Sequence, residues 1–125
     1  MTLTARQQKP LLERIRKICL ALPDTSEKLS HGEQAFFVKG RAFLNMDTYH
    51  HGSAHYSAWV AAPLGAQDLL TKSDPDHFFV PPYVGHRGWV GVILDGDPDW
   101  DQVARVIEDG YAQVVARAGR RGPSR

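Results

Sequence analysis

Leu11, Ile15, Ile18, Cys19 and Leu22 recur every three or four residues, the spacing that lines one face of an α-helix. The chain is therefore expected to open on an amphipathic helix that stops before Pro23. Two starts are compatible with the sequence. Thr4 and Gln7 stand at capping-box spacing, whereas a start near Gln8 would place Pro10 in the first turn. The polar face carries Arg6, Lys9, Arg14, Arg16 and Lys17 against Glu13 alone, a solvated face first and a binding stripe second. A loop is expected from Pro23 to Gly32. Beyond it, Gln34–Val38 and Arg41–Met46 are Phe-rich segments parted by Lys39 and Gly40, which signals a β-hairpin. After a loop reading DTYHHGSAH, His55–Ala61 alternates as a third strand, with Tyr56, Ala58 and Val60 on one face and Ser57 and Trp59 on the other. Pro63 then opens a short helix through Leu69 and Leu70, ended by Ser73, Asp74 and Pro75.

The next stretch, FFVPPYVGHRGWVGV from Phe78 to Val92, is the most tightly specified. Pro81 and Pro82 lack a donor and interrupt any strand that Phe78–Val80 forms. Gly85 and Gly88 bracket His86 and Arg87 on an exposed connection, and Trp89–Leu94 reads as a new strand. Asp97 before Pro98 is a good N-cap and first-turn pair and starts the final helix. Its apolar face runs through Trp100, Val103, Ile107, Tyr111, Val114 and Val115, and Gly110 within it implies close backbone packing. The expected fold is α+β, an antiparallel sheet with flanking helices in the order α-β-β-β-α-(β)-β-α.

Composition narrows the class. The 42% hydrophobic and 23% charged content is that of a globular chain, and 125 residues suit one domain. No apolar run approaches the roughly 20 residues of a membrane helix, and MTLTARQQKP has no apolar core of a signal peptide. With a single cysteine, Cys19, read as a core residue, the expected compartment is the cytoplasm, with no membrane partner. Four of the 15 basic residues, Arg117, Arg120, Arg121 and Arg125, fall in the last nine positions. That leaves 11 basic against 14 acidic groups over residues 1–116, a formal −3. The expected organisation is one domain over 1–116 and a frayed basic tail over 117–125.

These residues bear on four kinds of chemistry. His50, His51 and His55 are potential metal ligands, but their spacing matches no metal motif, and surface histidines describe them better. Asp95, Asp97, Asp99 and Asp101 alternate like the start of a calcium loop, but Trp100 and Val106 stand where glycine and glutamate are required. No nucleophile elbow, Walker loop or dinucleotide fingerprint is present, so the sequence points to no enzyme and no cofactor. Lys39 and Arg41 at the hairpin tip, with His86 and Arg87 on the glycine-bracketed loop, are suited to nucleic-acid phosphates, and Tyr83 to stacking. The acidic body limits this to weak binding.

Four blocks together resemble the MmcQ/YjbR-like family: a helix ending in LALPDTSE, then HGEQAFFVKGRAFLNM, FFVPPYVGHRGWVGVIL and DWDQVARVIEDGYAQV. The resemblance implies an α+β fold with a double-wing arrangement, from which DNA binding is inferred for the family by structural analogy. Two departures stand out. The family often has a lysine where Ala61 and Ala62 stand, and a serine where this chain has Gly110. The expected function is weak DNA binding through Lys39, Arg41, His86 and Arg87, helped by the first helix. The alternative is a small-molecule or protein-interaction module with a pocket formed by Phe37, Trp59, Tyr83 and Trp89.

Overall fold

Ten short elements follow one another in the computed structural model of the chain, which describes residues 2–50 and 54–120. They are α1 (Ala5–Leu20), β1 (Thr25–Ser30), β2 (Glu33–Val38), β3 (Arg41–Thr48), β4 (Tyr56–Val60), α2 (Ala66–Ser73), β5 (Phe78–Phe79), a 3₁₀ turn (Gly85–Arg87), β6 (Val90–Ile93) and α3 (Trp100–Arg120). The strands form one antiparallel sheet in the order β1-β2-β3-β4-β6-β5. The α+β class and the element order agree with the sequence reading, with one strand added.

That strand is β1, where a loop was expected. Its sequence, TSEKLS, has no apolar alternation because it is a sheet edge with solvent beside it. All six of its residues pair with β2, and an ion pair ties it to α1. The Arg16 guanidinium donates twice to the Glu27 carboxylate, Nε and Nη2 each at 2.6 Å, and Nη1 donates to Glu13 at 2.7 Å. Gln34 also donates to Glu27. The turns on either side of β2, His31–Gly32 and Lys39–Gly40, both have two successive positive φ values (53° and 82°, 52° and 76°). Those signs match the tight turns whose twist suits a hairpin.

At the N-terminus the capping box wins. Thr4 Oγ1 accepts from Gln7 N, and Gln7 Oε1 accepts from Thr4 N. Pro10 is thus interior, where its ring removes a helical bond. An anchor outside the helix favours this start: Leu3 N donates to Tyr49 Oη at 2.8 Å, and Tyr49 Oη donates to Asp95 at 2.9 Å. At the other end α3 begins two residues later than the Asp97–Pro98 pair suggested. Asp97 lies in the left-handed region (φ 60°), and Asp99 Oδ1 instead accepts from the amides of Asp101 and Gln102. α3 also continues to Arg120, so residues 117–120 of the expected tail are helical, while residues 121–125 lie outside the described residues.

Most of the core lies on one face of the sheet, with Ser57 and Trp59 buried on the other. Phe36, Val38, Leu44, Ala58, Val60, Val90 and Val92 pack against Ile15 and Cys19 of α1 and Val103, Ile107 and Val114 of α3. Burial pushes the Cys19 thiol's pKa upward, which suits a core residue and not a nucleophile. Phe43 is an extra residue in β3, since Phe36 pairs with Leu44 but Phe37 with Ala42. This bulge lets Phe43 meet Tyr111 of α3 edge-on at 5.6 Å between ring centroids. It also reverses the alternation before it, so Arg41, opposite Val38, belongs to the helix side of the sheet.

Gly110 is where α3 comes closest to the sheet. A Cβ there would lie 2.1 Å from the Ala61 carbonyl oxygen and 2.9 Å from Val60 Cγ1. The two departures from the family pattern, Ala61 and Gly110, therefore touch one another.

Gly110→Ala is expected to destabilise the fold by about 2 kcal/mol or more, because overpacking against backbone outweighs the ~1 kcal/mol that alanine gains in helix propensity. Urea unfolding measures it. Arg16 also holds the Glu27 carboxyl below its ordinary value, so its stabilisation is present above about pH 4.5 and lost as pH falls through the lowered value. Glu27→Gln should cost about 1–2 kcal/mol at pH 7, and the gap to wild type should close on acidification below about pH 4.5.

Candidate functional site

Arg41 at the start of β3, Arg87 at the end of the 3₁₀ turn and Arg117 in the last turns of α3 line one hollow of about 250 Å³. Ala42, Asn45, Ala61, Ala62, Trp89, Gln113 and Val114 complete it, and no carboxylate lines it. Among the described residues, no acidic side chain pairs with any of the three guanidiniums. A second hollow of about 540 Å³ shares Ala62, Arg87, Gln113 and Arg117 and adds His86, Gln67 and the Asp68 carboxylate, which Lys72 pairs at 3.1 Å. Together they make a basic groove at the end of the sheet where β4 ends and β3 and β6 begin. Ala61 and Ala62, where the resemblance places a lysine, border it.

Each arginine is positioned by local structure. The bulge turns Arg41 to the α3 side, and the late end of α3 brings Arg117 to meet it. Arg87 rests over the Trp89 ring, 5.4 Å from its centroid. Its loop is clamped from α2, where Gln67 Nε2 donates to Gly85 O at 2.7 Å and to Trp89 O at 2.6 Å. Gly85 lets that loop pass Val80, whose Cγ1 would be 2.7 Å from a Cβ, and Gly88 closes the turn at φ 84°.

The structure thus brings together Arg41 and Arg87, and adds Arg117. His86 is exposed and borders the adjoining hollow. Lys39 is exposed at the turn and lines neither hollow. The α1 stripe is partly spent, since Arg16 is committed to Glu27 and Glu13 and Arg14 lies 4.7 Å over the Trp100 ring.

The four aromatics disperse. Trp59 and Trp89 belong to the core cluster, Phe37 is half-buried beneath Lys28 Nζ at 4.6 Å, and Tyr83 is exposed. Trp59 and Tyr83 do share a hollow of about 340 Å³ with Val84, Met46, Ser30, His31, Glu33, Asn45 and Asp47. Asn45 borders this hollow and the arginine hollow alike.

The described histidines of this loop lie against carboxylates. His50 Nδ1 lies 2.7 Å from Glu33 Oε2, and its amide donates to Asp47 at 3.2 Å. His55 Nδ1 lies 3.3 Å from Asp95, which also accepts from Tyr56 N. His51 falls outside the described residues. Glu33, Asp47 and His50 place donor atoms within 4.8 Å of one another, but Glu33 is already engaged by Thr48 N and Oγ1, both at 2.9 Å. Among the described residues, no helix is long and apolar enough to cross a membrane.

Sequence reasoning missed Arg117, Gln67 and Asn45. Arg117 had a signal, since it continues the stripe of Val103, Ile107, Gly110 and Val114 at helical spacing. Gln67 had none, because its partners are carbonyls 18 and 22 residues away.

The fold and groove define a class, an α+β protein whose antiparallel sheet carries a cationic groove at one end. Residues 20–113 match the YjbR family, and the chain belongs to it. No curated protein and no solved structure matches the chain. Arg117 lies beyond the matched residues, so this third arginine is contributed by a part of the chain outside the family match.

Gln67→Ala should release the Arg87 loop while leaving the global fold in place. Amide exchange at residues 85–89 should quicken about tenfold or more, since two hydrogen bonds of about 1 kcal/mol each are lost, and the urea midpoint should fall by no more than that loss of about 2 kcal/mol accounts for.

Proposed function

We propose that this protein binds DNA weakly through its phosphates, with Arg41, Arg87 and Arg117 as the principal contacts and Lys39 and His86 beside them. The observation that carries this reading is the convergence of three guanidiniums, from three separate elements, on one hollow lined by no carboxylate. Unpaired arginines repel one another, and an anion between them relieves that cost. A phosphate suits them because guanidinium forks match its oxygens bidentately. Binding stays weak because the whole chain carries a formal net charge of only +1, so no broad positive field reinforces the three arginines. The reading is of a binding protein and not an enzyme, acting in the cytoplasm.

Fluorescence anisotropy with labelled DNA across a salt series tests it. Three phosphate contacts predict a slope of log K against log salt of about −2 to −3, and Arg41→Ala or Arg87→Ala should each make it shallower by roughly 0.7–0.9. Lys39→Ala, outside the groove, should have the smaller effect. Absence of binding at low salt, or binding indifferent to both arginine substitutions, would sink the reading.

A further inference from the structure

We propose that the hollow beside the arginine groove receives an unpaired nucleobase, so that the preferred ligand is a nucleotide unit with its phosphate among the arginines and its base against Trp59 and Tyr83. The inference rests on the phosphate reading above and adds the part of the ligand that reading leaves open.

Three observations carry it. The first is continuity: Asn45 borders both hollows, so the two adjoin at that residue. The second is shape and chemistry. The hollow holds about 340 Å³, within the range of small-ligand pockets, and is walled by Trp59, Tyr83 and Val84. Polar groups suited to a base edge, from Asn45, Ser30 and His31, line it too. The third is the backbone at Tyr83, which sits at φ 66° and leaves the residue 69% exposed. A bulky residue in the left-handed region costs about 1–3 kcal/mol and persists where its surroundings impose it. Here Pro81 and Pro82 precede it, and Val84 N donates to Pro82 O at 2.7 Å to close the turn. The consequence is an aromatic ring held at the rim of the hollow, where stacking would occur.

Electrostatics then orients the ligand. Glu33 and Asp47 border this hollow, and Asp47 is 1% exposed, so it acts through its field and not by contact. A second phosphate is repelled from that end. A neutral base with an exocyclic amine is accepted, since amine hydrogens suit a negative potential. In a duplex the base is stacked and paired and cannot enter. Single strands, or free nucleotides, carry the required chemistry.

Anisotropy on the full chain with matched single-stranded and duplex DNA separates the two readings. The single strand should bind more tightly at equal salt. Tyr83→Gly, which relieves the backbone strain and so should fold, is expected to weaken single-strand binding roughly five- to a hundredfold while leaving duplex binding and the salt slope unchanged. Tyr83→Phe should retain the wild-type affinity. Competition with deoxyadenosine monophosphate against deoxyribose 5-phosphate identifies the source. Displacement by the mononucleotide alone supports a free nucleotide, and displacement only by oligomers supports a strand. Equal binding of single strand and duplex, with Tyr83→Gly affecting neither, would overturn the base pocket while Arg87→Ala still weakens both. If nothing binds and Arg87→Ala is silent, the phosphate reading falls, and this inference with it.

Discussion

The close approach of α3 to the end of β4 is the constraint on which the arrangement depends. Gly110 has no side chain because the Ala61 carbonyl occupies the space where one would begin. A helix seated this deeply buries Val103, Val106, Ile107 and Val114, which supply α3's share of the core. Two turns further on, the same seating carries Arg117 to the mouth of the groove. Packing and charge are therefore linked: the contact that fixes the helix on the sheet also fixes the third guanidinium.

The groove is assembled from irregularities and not from regular structure. A bulge at Phe43 re-aims Arg41, a 3₁₀ turn with a left-handed glycine presents Arg87, and Gln67 reaches from α2 to hold that turn. Bulges and strained turns cost stability and recur where a side chain has to be aimed. The Arg16–Glu27 pair ties α1 to the edge strand away from the groove.

Most of the architecture was legible in the sequence because it rests on periodicity. The hairpin at Lys39–Gly40, the third strand and both long helices all follow from spacing, and Gly110 announced its own close packing. β1 was illegible because a charged edge strand has no apolar rhythm, and its partner Arg16 lies 11 residues away. The helix cap was misplaced by two residues because Asp97 and Asp99 are equally good caps until the backbone at Asp97 turns left-handed. As for the site, Arg41 and Arg87 could be named but not joined. Their convergence depends on a one-residue bulge, which no local pattern announces, and on helical turns at residues 117–120 that glycine and arginine made look like a tail.

The central claim is that three arginines from distant positions act as one anion site. Arginine Nε–H resonances, followed by NMR while a short phosphorylated oligonucleotide is added, test it most directly. Arg41, Arg87 and Arg117 should shift together and yield one dissociation constant, with Arg14 and Arg16 of α1 unmoved. Shifts confined to α1, or different constants for the three arginines, would contradict it.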